Sequence, residues 1–373
     1  MTDDRQLRAR LRLHLAGGVG SVIHRRLIDA FGDATTAVAA GASNWKKVQG
    51  IGPKTAASIA AVTDEQVESE LALAHRFQTS ILCDDDAAYP DALRAVHDRP
   101  PLIYVRGTLE AADAVALGVV GSRRCTHYGL EQAGRFGELL GRAGFTVVSG
   151  GARGIDTAAH RGALSAGGRT LAVMGCGLAH TYPPENAELF ERILADGRGA
   201  LVSELPMNTS VLAGNFPTRN RIISGLSLGV LVVEAARRSG ALITAREAAE
   251  QGREVFAVPG RVDSPLSQGV NALIRDGAIL VQDLDDVLEH LGAVGAKMAP
   301  EEAPVGKLFV PTTALSDVEQ QIMEHLAEDA LGVDDLVRRT GLPSAQVVSS
   351  MTMLVLKGAV AQQPGSIFSR RSV

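Results

Sequence analysis

The chain has 373 residues, of which 46% are apolar and 21% are charged, and its formal net charge is −5. This composition excludes a disordered chain and provides enough apolar surface for about two or three domains with buried cores. The apolar runs are too short to cross a bilayer, and the amino terminus lacks the pattern of a signal peptide, so we expect a soluble, cytoplasmic protein. The three cysteines lie far apart without paired spacing, which disfavours both a disulfide framework and a zinc site.

Positive charge is concentrated in three segments of the chain. Residues 1–60 contain nine Lys and Arg against four Asp and Glu, residues 116–161 contain six against three, and residues 216–282 contain eight against six. Phosphate binding depends on local positive charge more than on the total, so the net charge of −5 does not exclude a polyanionic partner.

The amino-terminal segment, residues 1–65, is predicted to be a small helical domain of the helix-hairpin-helix (SAM-like) kind. Two glycine-rich turns separate its helical stretches, in the sequences LAGGVGS and VQGIGPKTA. The second matches a helix-hairpin-helix turn, in which backbone N–H groups and a following lysine, here Lys54, face a DNA backbone. Similar hairpins also serve only for packing, so both interpretations stay open.

Residues 66–292, including a lead-in, alternate apolar strands with helices. Strands are predicted at 114–120, 145–149, 169–175, 200–204, 228–235, 254–260 and 278–282, and helices near 127–142, 155–167, 185–196, 218–226, 241–251 and 267–276. Apolar strands separated by helices are typical of a parallel sheet covered on both faces. We therefore predict an α/β fold with a Rossmann-like, mostly parallel, doubly wound sheet.

The last part of the chain reads as a linker, residues 293–313, followed by a winged-helix domain, residues 314–373. The linker is rich in Ala, Gly, Pro and acidic residues, and the domain offers three helices and a short hairpin. Its third helix has few cations, so a protein partner is at least as good an interpretation as DNA.

Two loops after predicted strands have the composition of anion sites. Such loops gather unpaired N–H groups beside a helix N-terminus. The first reads GSRR, where Arg123 or Arg124 either binds a phosphate or is an ordinary surface arginine. The second reads SGGARG, and its candidate DNA-binding residues are Ser149, Gly150, Gly151 and Arg153.

A nucleotide cofactor is disfavoured, and we expect none. The glycines follow a GGxxG pattern rather than GxGxxG, and no acidic residue follows at the end of the next strand. In the loop GCGLAHTYPPEN, Glu204 of the following strand could reach a ribose hydroxyl. The favoured alternative is a turn that closes over the glycine loops, with Asn186 or Glu185 starting a helix.

The stretch NFPTRNR adds a third candidate contact region. Arg219 and Arg221 flank Asn220 and, around a turn into a helix, could bracket a phosphodiester, while Phe216 offers a face for base stacking. The alternative for Phe216 is core packing.

An enzyme is the alternative to a binding protein. The stretch SGALITAREAAE faintly resembles the PGGxGTxxE signature of nucleoside-phosphate phosphoribohydrolases, with Glu247 at the place of the glutamate, but the proline and two of the three glycines are missing. Asp156 and His160, four residues apart, could form an acid/base pair, although such a pair more often stabilises its own helix. A scaffold that works through its terminal modules is a third hypothesis.

The motifs GSR, SGGARGIDTAAH, FPTRNRIISGLS and SQGVNALIRDGA occur in this order, and over residues 118–282 the chain resembles the DNA-processing protein DprA (Smf) family. The resemblance implies a Rossmann-like domain that binds single-stranded DNA as a homodimer. It further implies protection of incoming strands in natural transformation and loading of the RecA recombinase, without catalysis. The implied DNA pocket includes Arg123, Gly150, Gly151, Arg153, Phe216, Arg219 and Arg221.

Overall fold

The computed structural model describes residues 3–292, 294–295, 315–326, 331–356, 359–363 and 367–370. These residues form two compact units that divide near residue 300. Apart from residues 294–295, the predicted linker lies outside the described residues.

The sheet of the first unit has nine strands within the described residues. They are β1 (Thr79–Cys83), β2 (Leu102–Gly107), β3 (Ala116–Val120), β4 (Thr146–Ser149), β5 (Thr170–Val173), β6 (Gly199–Ser203), β7 (Gly229–Val232), β8 (Glu254–Ala257) and β9 (Ile279–Leu280). Their order is β1-β2-β6-β5-β4-β3-β7-β8-β9. Strands β3 to β9 are parallel, whereas β2 pairs antiparallel with both β1 and β6.

Helices precede the sheet and cover both of its faces. The amino-terminal helices are α1 (Asp4–Leu15), α2 (Ser21–Phe31), α3 (Ala34–Ala39), α4 (Gly41–Trp45), α5 (Pro53–Ala61) and α6 (Asp64–Arg76). The others are α7 (Asp91–Arg94), α8 (His127–Arg142), α9 (Ile155–Ser165), α10 (Ala187–Leu194), α11 (Asn215–Gly225), α12 (Ala241–Glu250), α13 (Gln268–Arg275) and α14 (Leu284–His290). One core joins the sheet to α8, α9 and α14, and a second joins its other face to α7, α11, α12 and α13. The predicted doubly wound sheet is confirmed.

The amino-terminal helices share a core with the sheet. Leu11, Leu27 and Ile59 belong to the same buried cluster as Tyr104 of β2 and Phe190 of α10. The helices therefore pack on the β2 side of the sheet as part of the same compact unit.

Two features of this unit differ from the sequence-based expectation. Strands β1 and β2 were not predicted, because they form an antiparallel pair outside the strand–helix alternation that identified the other seven. Helix α11 begins at Asn215 rather than near residue 218 and includes Pro217. A proline fits there because the first turn of a helix has no internal acceptor for its N–H groups.

The order of the strands reverses direction at β3, which has β4 on one side and β7 on the other. The loops that leave β3 and β7 therefore turn to opposite faces of the sheet. In doubly wound sheets, this divergence leaves a crevice at the carboxyl ends of the strands, where ligands bind.

The second unit is a winged helix. It contains α15 (Asp317–His325), α16 (Val333–Thr340) and α17 (Ser344–Leu356), with a sheet of β10 (Leu331–Gly332), β12 (Ile367–Arg370) and β11 (Val360–Gln363) in that order. Ile322, Leu336, Leu354 and Phe368 lie in its core. The predicted winged-helix fold is confirmed. In neither unit does a described helix have the length and apolar character to cross a membrane.

Candidate nucleic-acid interface

A cleft of about 560 Å³ opens at the carboxyl ends of β3 and β7, at the switch point where the strand order reverses. Its walls come from Gly121–Arg123 after β3, from Ala152 and Asp156 of the glycine loop and α9, from the first turns of α11, and from Ser239–Ala241 at the start of α12. Three of the loops singled out in the sequence therefore meet at one site.

Two aromatic rings and two arginines form a row that begins in this cleft. The rings of Phe216 and Tyr182 are 5.9 Å apart between centroids. The guanidinium of Arg123 lies 4.6 Å from the centre of the Phe216 ring, and that of Arg153 lies 5.8 Å from the centre of the Tyr182 ring. Both arginines are exposed and both rings are half buried. Cation–π attraction favours the position of each guanidinium over its ring.

Arg153 also forms an ion pair with Glu185. Both side chains are about half exposed, and pairs of this kind contribute little to stability. The hydrogen bond from Arg153 lowers the pKa of Glu185 from its ordinary value. Because the pair is weak and open to solvent, an incoming anion can replace Glu185 as the partner of Arg153.

Arg219 lies beneath the glycine loop and is only 4% exposed. Its Nη1 donates to the carbonyl of Gly150 at 2.7 Å and to that of Val173, and its Nε donates to Asn220 Oδ1 at 3.2 Å. Burial lowers the pKa of Arg219 to about 10, so the group stays charged at neutral pH. A Cβ on Gly150 would lie 2.4 Å from this guanidinium, which would then have to move away from its carbonyl partners. Arg219 thus fixes the glycine loop from inside.

Asp156 closes the same loop from its other side. Its Oδ2 accepts the N–H of Ala152 at 3.2 Å, and the side chain lines the cleft. Burial raises the pKa of Asp156, while the charges of Arg219 and Arg123 oppose that shift. Gly151 and Gly154 have φ values of +63° and +75°, which other residues rarely adopt.

Arg221 does not lie beside Arg219, and the predicted bracket around one phosphate is wrong in its geometry. Arg221 is buried and binds Glu204 at 2.9 and 2.6 Å and Asp98 at 2.9 Å. Because α11 starts at Asn215, both arginines lie within the helix, where residues two apart do not face each other. Glu204, considered above as a ribose ligand, is occupied by Arg221, and burial raises its pKa.

The side chains of Ser149 and Asn220 also form hydrogen bonds within the protein. Ser149 is fully buried and donates from Oγ to the carbonyl of Val119 at 2.6 Å, which links β4 to β3. Asn220 borders the cleft, but its Nδ2 donates to the carbonyl of Gly240 at 3.3 Å. Asn186 occupies the N-cap position of α10 without a side-chain cap, and its Nδ2 donates instead to the carbonyl of Gly151 at 3.0 Å and to Thr157 Oγ1 at 2.8 Å, which joins its loop to the glycine loop. Lys54 is exposed on α5 and is not among the residues that line the cleft.

The sequence analysis missed Tyr182 as a cleft residue. Its signal was available, because aromatic residues make up 4% of the chain and Tyr182 follows a strand in a glycine-containing loop. That signal was weaker than the one at Phe216, because no arginine lies beside Tyr182 in the sequence.

The residues considered for hydrolysis do not come together. His160 is fully buried, its Nδ1 lies 2.6 Å from Thr170 Oγ1, and burial lowers its pKa to about 3. Asp156 instead bonds the glycine loop. Glu247 lines a different hollow with Asp98 and Glu250. Within the part of the chain that the structure describes, no group of three or more His, Cys, Asp or Glu could hold a metal ion.

Fold and site together define a Rossmann-like α/β protein with a cationic, aromatic cleft at its switch point and a separate winged helix. The family model of DNA recombination-mediator protein A matches residues 80–292, and that of the DprA winged helix domain matches residues 310–366. The chain therefore belongs to the DprA (Smf) family of DNA-processing proteins.

Relatives support this assignment over most of the chain. Protein Smf of Escherichia coli (strain K12) is 42% identical over 304 residues, which cover 81% of this chain and 80% of that protein. The X-ray structure of DNA processing protein A from Streptococcus pneumoniae has a TM-score of 0.66 at 33% identity and covers 75% of this chain and 95% of its own. A structure that describes the single-stranded DNA binding mode of DNA processing protein A from Helicobacter pylori is also similar. It has a TM-score of 0.52 at 29% identity and covers 58% of this chain and 97% of that chain.

Proposed function

We propose that this protein binds single-stranded DNA in the cleft at the ends of β3, β4 and β7 and has no catalytic role there. The observation that carries the proposal is the row Arg123–Phe216–Tyr182–Arg153. A single strand alternates phosphates with bases that are free to stack, and arginines interleaved with aromatic rings match both groups. The Helicobacter pylori relative, described as binding single-stranded DNA, supports the same ligand class.

The contact between Arg123 and the Phe216 ring in the free protein suggests how a strand would bind. A phosphate attracts the Arg123 guanidinium more strongly than the Phe216 ring does, because the phosphate has a full negative charge. When Arg123 turns to the phosphate, it exposes the face of Phe216 to a base. Gly150 and Gly151 are buried and do not line the cleft, and their missing side chains leave room for Arg219 and Phe190. The glycine loop therefore contributes its shape, and Arg219 contributes by holding that loop rather than by direct contact.

The test compares two adjacent arginines. Arg123 lines the cleft, whereas Arg124 is exposed and is not among the lining residues. With a fluorescent 20-mer of oligothymidine, we expect Arg123→Ala to weaken binding about tenfold, since charge-assisted hydrogen bonds contribute about 1.5–3 kcal/mol. The variant should also reduce the slope of log affinity against log salt by about 0.7. Arg124→Ala should change affinity less than about twofold, and equal losses from both variants would contradict the assignment.

We propose that the cellular role is that of the family: in the cytoplasm, the protein shields strands taken up in natural transformation and loads RecA onto them. Family membership supports this role. The test is RecA ATP hydrolysis on oligothymidine that is already coated with a single-strand-binding protein. Wild type should shorten the lag before hydrolysis, and Arg123→Ala should not. An unchanged lag with wild type would remove RecA loading from the proposal.

We also propose that the protein forms a homodimer through the Rossmann-like domain. Strand β9 is an edge of the sheet among the described residues, and Leu280 on it is 43% exposed. An open edge with an apolar side chain is a surface that a second copy can cover. Sedimentation should give a dimer for wild type and a monomer for Leu280→Lys, and a monomeric wild type would exclude this assembly.

A further inference from the structure

The amino-terminal helices contain a structural repeat. The turns Ala16–Val19 and Val48–Ile51 each close with a 3.1 Å hydrogen bond from the last N–H to the first carbonyl. The third residue of each turn is a glycine with positive φ, +84° at Gly18 and +91° at Gly50. A second glycine then begins the following helix, with φ and ψ of −85° and −178° before α2 and −88° and 177° before α5.

The two hairpins pack on each other reciprocally. A Cβ on Gly50 would lie within 3.0 Å of Ile23 and Arg26, the third and sixth residues after the glycine that begins α2. Gly18 and Gly17 face Thr55 and Ser58, the third and sixth residues after the glycine that begins α5. Each hairpin therefore contacts the same positions of the other helix, and a local pseudo-two-fold axis relates them.

This repeat bears cations that the protein does not neutralise. We define the basic face as Arg25, Arg26, Lys46, Lys47 and Lys54, none of which lies within 4.0 Å of a carboxylate among the described residues. Arg26 donates to the carbonyl of Gln49, which places it at the second hairpin. By contrast, three of the four arginines of α1 are paired with acids: Arg8 with Asp4 and Glu68, Arg10 with Asp84 and Asp85, and Arg12 with Asp64.

The basic face offers no platform for unpaired bases. Phe31 and Trp45 are the aromatic residues between positions 16 and 60. Trp45 is buried and donates to the carbonyl of Ala37 at 2.6 Å, and Phe31 packs against the core. The arrangement thus differs from the cleft, where rings and cations alternate.

We propose that the basic face binds the backbone of double-stranded DNA, with one hairpin on each strand. The two antiparallel strands of a duplex are related by local two-fold axes, so the two glycine turns of this module present equivalent backbone N–H groups to the two strands. The side-chain cations are not repeated in this way, because His14, Leu15 and Val22 stand at the positions equivalent to Lys46, Lys47 and Lys54, and these lysines strengthen the contact of one half. Lysines and arginines without aromatic neighbours suit phosphates and not bases. This goes beyond the single-strand function proposed above and gives the chain a second site, for duplex.

The experiment uses the full chain and a fluorescent duplex of 20 base pairs. Arg25→Glu combined with Lys54→Glu should weaken duplex binding at 50 mM salt at least about tenfold and reduce the salt slope by about two. The affinity for oligothymidine should stay within about twofold of wild type. Arg76→Glu with Arg192→Glu is the matched control, because both residues are exposed on other helices, and it should leave duplex binding within about twofold.

Several results would overturn the proposal: no duplex binding by wild type, the same duplex affinity in the Arg25/Lys54 variant, or equal losses in the control pair. Lys46→Ala with Lys47→Ala provides a milder change at exposed positions in case the first variant does not fold. It should weaken duplex binding at least about threefold, and no change would again contradict the proposal. Arg123→Ala should spare duplex binding, so failure of one site is distinguishable from failure of the other.

Discussion

At the scale of single residues, the shape of the cleft depends on the buried guanidinium of Arg219, which acts without contacting a ligand. Arg219 donates to the carbonyls of Gly150 and Val173, at the ends of β4 and β5. A planar guanidinium can donate hydrogen bonds to several acceptors in its plane, whereas the ammonium group of lysine is a compact point charge. The glycine loop is therefore matched to arginine at this position.

Arg219→Lys should lower the free energy of unfolding by about 2–3 kcal/mol, because at least one buried acceptor loses its partner. Urea denaturation followed by circular dichroism measures the loss. Arg124→Lys, at an exposed position, should change the same quantity by less than about 0.5 kcal/mol. Equal stability of Arg219→Lys and wild type would show that the guanidinium does not hold the loop.

His160 should make stability depend on pH. Burial lowers its pKa to about 3 in the folded protein, against about 6.5 in the unfolded chain. Below pH 6.5 the unfolded chain takes up a proton that the folded protein does not, so the free energy of unfolding falls as pH decreases from 6.5 toward 3. The contribution of this group is about 1.4 kcal/mol per pH unit.

The measurement is urea denaturation between pH 7.5 and 5. His160→Gln should show a shallower loss of stability with falling pH than wild type, and His97→Gln, at an exposed histidine, should retain the wild-type slope. Identical slopes in all three proteins would contradict a neutral, buried His160.

At the scale of elements, α8 and α9 approach each other so closely that glycine is required in their interface. A Cβ on Gly137 would lie 2.3 Å from the carbonyl oxygen of Ala159, whereas the nearest atom to a Cβ on Gly134 would be 4.0 Å away. Helix α9 begins at the glycine loop and is thereby held against the sheet beside the cleft.

Gly137→Ala should cost about 3 kcal/mol of unfolding free energy, because a backbone contact has to move. Gly134→Ala should be neutral or stabilising by up to about 1 kcal/mol, since alanine favours a helix and has space there. Thermal denaturation of both variants compares them directly. A Gly137→Ala protein as stable as Gly134→Ala would contradict the close approach.

The elements also show what the sequence could and could not predict. The spacing of apolar runs located seven parallel strands, since each of them is followed by a helix. It missed β1 and β2, whose pairing with each other and with β6 depends on contacts far apart in the chain. The start of α11 determines where Arg221 points: a helix from Asn215 turns it toward Glu204 and Asp98, and no local pattern near Arg221 names those distant partners.

At the scale of the whole molecule, the sequence analysis identified the loops of the cleft, because loops after parallel strands must meet at one edge of the sheet. It did not separate residues that face the cleft from residues that brace it. Arg123, Arg153 and Phe216 keep accessible surface, whereas Ser149 and Arg219 are buried against backbone carbonyls of other strands and loops, and Arg221 is buried against carboxylates. The predicted domain limits at 65 and 292 stay predictions, and the amino-terminal helices share a core with the sheet.

The most direct test of the central claim places a reporter in the cleft. Trp45 is the single tryptophan of the chain and is buried among the amino-terminal helices, so Phe216→Trp adds a second one at the position where a base should stack. Titration with oligothymidine should quench the added emission saturably, at the same concentrations that raise the anisotropy of a labelled strand. Strand binding with unchanged emission from the added indole would contradict the account, because the strand would then bind elsewhere.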